Sequence, residues 1–305
     1  MGVAQMIAET LSLTRWEWFK LRRRRLPWIL LFVSVLLLQI TFWSAYALFR
    51  VGDEVALGDG GAASVSGAFL ELLAFPNNAV IGLAISHGFT IILIMILAAS
   101  LTGTEYGWGT VRTVLTRGAG RWQLLASKLL LVALLGVGAL IVGALSMALS
   151  SFIASLTLEG GNWLAESAEW VEVARTFGKA IFGLLPYVAL GLFFAVLTTS
   201  SGTAIGLALG YAVAEGIVIS ILANFDWFER FSGYILGQAV GGWLGTTGGE
   251  LFAGGGDDGF GDAAVIAVQP EALQGFLVSL AYIVVLSGLA FWLFQRRDIA
   301  GAKGE

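Results

Sequence analysis

The chain has 305 residues, of which 57% are hydrophobic and only 12% charged, with a net charge of −4 and a mean hydropathy of +0.85. Soluble domains carry about twice that share of charge and a smaller apolar share, so an ordinary soluble enzyme is excluded, and so is a disordered chain. The absence of cysteine removes disulfides and thiolate chemistry, and the single histidine, His87, removes any site needing two.

Residues 1–25 are not apolar enough to cross a membrane. Val3, Met6, Ile7, Leu11, Trp16 and Phe19 fall near helical spacing, and Arg22 to Arg25 follow. This predicts an amphipathic helix lying in the membrane interface, held by apolar burial and anionic lipid. Six segments then reach the roughly 20 apolar residues that a spanning helix needs. They are Leu26–Phe49, Ala79–Leu101, Leu129–Phe152, Ala180–Thr198, Gly202–Ala223 and Leu273–Phe294. The fourth contains Pro186, which a membrane helix accommodates as a kink. The first external loop, 50–78, is rich in glycine and acid. The second, 153–179, carries Trp163, Trp170 and Val173 among glutamates and predicts a short surface helix. Only Thr199–Ser201 joins spans four and five, which forces an antiparallel hairpin. The last external loop, 224–272, is long and glycine-rich, without the composition of a separate domain.

The distribution of lysine and arginine orients the spans. Thirteen lie at the N-terminus, between spans two and three, and in the C-terminal tail; four, Arg50, Arg175, Lys179 and Arg230, lie on the other side. The expected fold is therefore an all-α integral membrane protein, one domain over 1–305, with six transmembrane helices, an N-terminal interfacial helix and both termini cytoplasmic, in a prokaryotic cell membrane.

The loop at 102–128 carries most of the functional information. Val111, Val114 and Leu115, followed by Trp122 and Leu125, predict two short amphipathic helices broken at Gly118–Gly120. Such a basic, partly apolar surface suits either a soluble partner or lipid head groups, and its residues alone do not choose between them. The succession Glu105, Gly109-Thr110, Arg112, Leu115, Arg117, Arg121, Lys128 leading into a span resembles the permease subunits of type-2 ABC transporters. Trp16-Glu17-Trp18-Phe19-Lys20 before the arginines resembles that family's elbow helix. Gly118-Ala119-Gly120 stands where the family often has a proline and a serine.

The resemblance implies an exporter permease that pairs with a second permease copy, identical or closely related, and with cytoplasmic ABC ATPase subunits. Glu105, Gly109, Thr110, Arg112, Arg117, Arg121 and Lys128 would couple the spans to the ATPase, with Glu105 holding the basic segment in place. No G-x-x-x-x-G-K-[ST] phosphate loop occurs in the sequence. ATP would therefore act through the partner chain, with no cofactor bound directly and no enzymatic activity of the permease itself. Membrane lipids complete the expected partners, and nucleic acid is not among them.

Ionisable groups inside the spans give the alternative. Glu215 in the fifth and His87 in the second are candidate pathway residues, because a charge in hydrocarbon needs a cavity or a partner. An ion-coupled secondary transporter would use Glu215; a non-transporting accessory subunit would use neither. Gly259-Phe260-Gly261-Asp262 lacks the second intramembrane aspartate an aspartyl protease needs. Asp257, Asp258 and Asp262 read as a solvated acidic loop rather than a Ca²⁺ site.

Overall fold

The computed structural model describes residues 3–55, 75, 77–116, 118, 120–156, 170–222, 225–245 and 270–297. They form ten helices: α1 Val3–Arg22, α2 Arg25–Val55, α3 Asn77–Gly107, α4 Thr110–Thr116, α5 Arg121–Ser155, α6 Trp170–Thr198, α7 Ser201–Leu222, α8 Asp226–Ser232, α9 Leu236–Leu244 and α10 Ala272–Arg296. Six of them, α2, α3, α5, α6, α7 and α10, are long and apolar enough to cross a membrane. They coincide with the six hydropathy segments. Helix and sheet-closed barrel are the only backbones that satisfy their own hydrogen bonds in hydrocarbon, and this chain uses the helix.

The helices outrun the hydropathy segments. Charged and glycine residues end an apolar window but do not end a helix. α3 continues through Glu105 to Gly107, and α5 begins at Arg121. The second short helix predicted around Trp122 and Leu125 is therefore the first turns of span three, and the non-spanning segment shrinks to little more than α4. Trp170 and Val173 likewise belong to the continuous helix α6 instead of a separate surface helix. The region 224–272, predicted as a loop, contains α8 and α9. Asp257, Asp258, Asp262, Arg117 and Trp163 lie outside the described residues.

The chain divides into two units. One holds residues 1–29, 91–136 and 182–305. Its apolar core joins Val111 of α4, Leu124 and Leu125 of α5, Leu192 and Val196 of α6, and Ala290 and Phe294 of α10. α9 lies against α10 so closely that a Cβ at Gly275 would run into the Ala239 carbonyl and the Trp243 amide nitrogen. Thr199, in the turn between α6 and α7, has φ +54°, a left-handed conformation that disfavours a side chain. The two-residue link leaves no room for a relaxed turn.

The other unit holds residues 30–90 and 137–181. Phe42, Met147 and Ala154 form its apolar cluster. Gln39 and Ser150 form its polar one. The Gln39 amide donates to the Ser146 carbonyl at 3.2 Å, and Ser150 Oγ donates to Gln39 Oε1 at 2.5 Å. Such interhelical bonds replace the hydrophobic drive that lipid cannot supply.

Candidate functional site

Three helices of the first unit meet in a closed ring of charge. α1 brings Glu17 and Lys20, the end of α3 brings Glu105, and the second turn of α5 brings Lys128. Lys20 Nζ donates to Glu17 Oε1 at 2.6 Å and to Glu105 Oε1 at 2.7 Å. Lys128 Nζ stands 2.7 Å from Glu105 Oε2 and 3.5 Å from Glu17 Oε2. These last two are ion pairs whose angles do not make hydrogen bonds. Each carboxylate thus bridges both ammonium groups, and the four formal charges cancel.

Burial makes this cancellation necessary. The Lys128 side chain is 2% exposed and those of Glu17 and Glu105 are 4% exposed, whereas Lys20 is 43% exposed. An isolated charge at such depth costs several kcal/mol, and only a partner of opposite sign offsets it. Burial acts to lower the Lys20 pKa. The hydrogen bonds and attraction of Glu105, then those of Glu17, outweigh it and hold Lys20 above its ordinary value.

The sequence of α1 explains how a membrane-proximal helix brings a glutamate inward. Thr14, Glu17 and Leu21 are buried on one stripe. The hydroxyls of Thr10 and Thr14 turn back onto the carbonyls of Met6 and Thr10, so this stripe has no spare polar groups there. Ile7, Leu11, Trp16, Trp18 and Phe19 are exposed. α1 therefore keeps its carboxylate inside and its bulky apolar groups outside, the reverse of a soluble surface helix. At the corner into α2, Arg24 donates to Thr104 Oγ1 at 3.1 Å and its guanidinium lies 5.1 Å from the Trp108 ring centroid.

α4 sits beside this ring. Gly109 takes φ +66° in the turn after α3, a conformation glycine adopts freely. Thr110 donates its hydroxyl to the Glu105 carbonyl at 3.3 Å, tying the first residue of α4 to the end of α3. Val111 is buried, and Val114 and Leu115 pack on the core of the first unit. The apolar face of α4 is thus occupied within the chain. Its other face leaves Arg112 and Thr113 exposed, next to Trp108 at 68% exposure.

Two arginines fasten helix ends nearby. Arg121 donates to the carbonyls of Phe294, Gln295 and Arg297, at 3.4, 2.7 and 3.0 Å. Arg297 donates to those of Val196 and Leu197, at 2.5 and 2.6 Å. The last carbonyls of a helix have no intrahelical partner and carry the negative end of its dipole. Arg121 satisfies them on α10, and Arg297 satisfies them on α6.

The residues predicted to couple to an ATPase therefore occupy three settings. Glu105 and Lys128 are buried in the charge ring. Arg121 is committed to helix carbonyls. Gly109, Thr110 and Arg112 form the turn and first residues of α4, with Arg112 the exposed side chain of the three. Glu17, Lys20, Arg24 and Arg297 complete the arrangement and were not singled out by sequence reasoning. The one visible signal was an acid, Glu17, standing among aromatic and basic residues on the buried stripe of α1.

Glu215 takes a different position. It lies on α7, and its Oε1 accepts the Gly237 backbone N–H at 2.5 Å and the Tyr211 hydroxyl at 3.5 Å. Gly237 is in the first turn of α9. A carboxylate of one helix thus caps the N-terminus of another, where orphan amides and the positive dipole end favour it. His87 is buried on α3 in the second unit.

Comparison with known proteins adds the family. The family described as "Protein of unknown function (DUF2705)" matches residues 76–300. The chain belongs to this family. The DUF2705 match takes in α3 through α10, and so Glu105, Lys128, Arg121 and all of α4; Glu17 and Lys20 precede it. The chain is also 26% identical over 233 residues to a Bacillus subtilis (strain 168) protein named "Uncharacterized protein YhcI", covering 70% of this chain and 67% of that one.

Proposed function

We propose that this DUF2705 protein is the membrane-spanning permease subunit of an ATP-driven exporter of the type-2 ABC kind, with both termini cytoplasmic and the ATPase a separate chain. The observation that carries the reading is the mounting of α4. It is a short helix held on its apolar face by the ends of α5, α6 and α10. It is tied through Thr110 to Glu105, and through the charge ring to α1 and α5. A piece so fastened cannot move alone, so a push on its exposed face at Arg112 and Trp108 is passed to the spans. This is what a force-transmitting contact requires, and it is more than a loop touching head groups needs.

Two further features support the assembly. The basic residues gather at this end, which supports a cytoplasmic orientation for it. On α7, Gly202, Gly206 and Gly210 are exposed at four-residue intervals with open space where a Cβ would stand. That spacing lets a second membrane helix approach closely, as pairing with another permease copy needs. The ion-coupled alternative is weaker, because the Glu215 carboxylate is occupied in capping α9.

Purification from native membranes in mild detergent tests the proposal. A cytoplasmic ATPase chain is expected in stoichiometric amount. Trp108→Ala with Arg112→Glu should leave elution unchanged, lower the melting temperature by no more than the few degrees that loss of the Arg24 stacking costs, and reduce the retained ATPase at least tenfold. A wild-type preparation with no ATPase chain and no ATP hydrolysis refutes it.

A further inference from the structure

The second unit has an unusual interior for a body made of membrane-spanning helices: its buried side chains are polar as often as apolar. In the first unit apolar residues dominate the buried set. Some of the polar groups in the second unit are paired, as Gln39 is with Ser146 and Ser150. One set is not. Asn78, Ser86 and Thr90 lie on a single slanting row of α3 at intervals of eight and four residues, each at most 2% exposed. Neither amide atom of Asn78, nor Ser86 Oγ, nor Thr90 Oγ1, has a hydrogen-bond partner among the described residues.

That combination is hard to maintain in hydrocarbon. Serine and threonine in a helix ordinarily turn their hydroxyl onto the carbonyl one turn back. Thr10, Thr14 and Thr104 do so in this chain. Ser86 and Thr90 do not. Ser86 Oγ instead lies against Gly143 of α5, where an added Cβ would collide with it. Glycine at that point leaves the hydroxyl its room. Buried polar groups without a protein partner are rare in folded chains, and those that exist call for an explanation such as water or a ligand. At 1.5 Å per residue the row extends about 18 Å along the helix, the length of a lining rather than of a single water site. Its members are an amide and two hydroxyls, with neither carboxylate nor ammonium among them.

We infer that the Asn78–Ser86–Thr90 row of α3 is a solvated lining that takes uncharged hydroxyl- or amide-bearing groups. The Asn78 amide supplies two N–H donors and a carbonyl oxygen acceptor, and each hydroxyl supplies a donor and an acceptor. Such a row exchanges hydrogen bonds with a polar, neutral solute or the neutral part of a larger one as readily as with water. It offers no counter-charge to an ion. The inference needs no ATPase partner and holds or fails independently of the proposed function.

The natural absence of cysteine makes the test direct. Asn78→Cys, Ser86→Cys, Thr90→Cys and, as the apolar control on the same helix, Leu83→Cys are made one at a time in the full chain and kept in membranes. Each is treated with 2-hydroxyethyl methanethiosulfonate, and with its trimethylammonium-ethyl and sulfonato-ethyl counterparts. Rates are normalised to those of a free thiol. Only a thiolate reacts, and a thiol surrounded by apolar groups stays protonated and inert. The expected result is modification of the Ser86 and Thr90 variants by the hydroxyethyl reagent at least tenfold faster than Leu83→Cys, and faster than by either charged reagent. Rates equal to the Leu83→Cys control at all three positions overturn the lining. Faster reaction with a charged reagent overturns the preference for neutral groups. Asn78→Cys, at the start of α3, reports on the row if either inner variant elutes as aggregate.

Discussion

Lysine 128 is the member of the charge ring whose loss should be felt most. Replacing it with alanine removes the ammonium 2.7 Å from Glu105 and 3.5 Å from Glu17. Both carboxylates are 4% exposed, so water cannot take its place. The ring then carries one uncompensated negative charge. Breaking a buried pair by deleting one partner costs about 3–5 kcal/mol, most of it the penalty on the charge left behind. Lys20→Ala leaves the same two buried carboxylates one cation short, but Lys20 itself is 43% exposed, so water and salt reach the place it vacates and replace much of the lost attraction; about 1 kcal/mol is expected there. For a chain of this size the Lys128 change should lower the midpoint of thermal unfolding in detergent by about 5–15 °C. Lys20→Ala should lower it by only a few degrees. The double change Lys128→Met with Glu105→Gln should recover much of the loss, because it removes both members of the close pair and leaves Glu17 with Lys20. The measurement is monodisperse protein remaining after a temperature series, read by size-exclusion chromatography. Equal shifts for Lys20→Ala and Lys128→Ala would refute the reasoning, as would a double variant less stable than the single one.

Two other substitutions probe the helix ends. Arg121→Ala removes three contacts of Nη1 to the carbonyls at the end of α10; since hydrogen bonds to a charged donor contribute about 1.5–3 kcal/mol each when unshared, a loss of about 2–4 kcal/mol is expected in the same thermal assay, with Arg121→Lys only partly restoring it because an ammonium is more strongly hydrated and its flexible stem less pre-organised than the planar guanidinium. Glu215→Ala removes the cap on α9 and should cost about 1 kcal/mol and speed hydrogen exchange of the Gly237 amide, while Glu215→Gln retains an acceptor and most of the protection.

The six spans were legible because membrane helices announce themselves by composition alone, and the match between hydropathy and structure is close at their centres. The ends were not legible for a simple reason. The apolar segments stop at Leu101 and resume at Leu129, but the backbone stays helical through Glu105 and from Arg121 because the charges there are paired or hydrogen-bonded. The pairing of Lys20 with Glu105 spans 85 residues of sequence, that of Glu17 with Lys128 spans more, and nothing local announces either. In the sequence Glu17 and Lys20 stand only as part of the interfacial helix. The use of Arg121 as a cap was hidden for the same reason: a basic residue at the foot of a span reads equally as a topology signal or a partner contact. Glu215 was visible as a carboxylate at depth, but its acceptor role depends on α9, whose glycine-rich sequence reads as loop. The row on α3 is scattered among apolar residues in the sequence, and only the packing around α3 leaves its polar atoms without hydrogen-bond partners among the described residues.

The charge ring also sets an order on synthesis. Glu17 and Lys20 leave the ribosome together and can neutralise one another at once. Their other partners, Glu105 and Lys128, are made much later, the last of them after about 100 further residues. At bacterial and eukaryotic elongation rates of about 5–20 residues per second, that is an interval of about 5–20 s. During this time α1 lacks the partners that bury Glu17, and the Glu17–Lys20 pair stays in water at the membrane surface. α1 is therefore made well before its partners and is among the last parts to settle, since it is held out of the fold until the third span has begun to enter the bilayer.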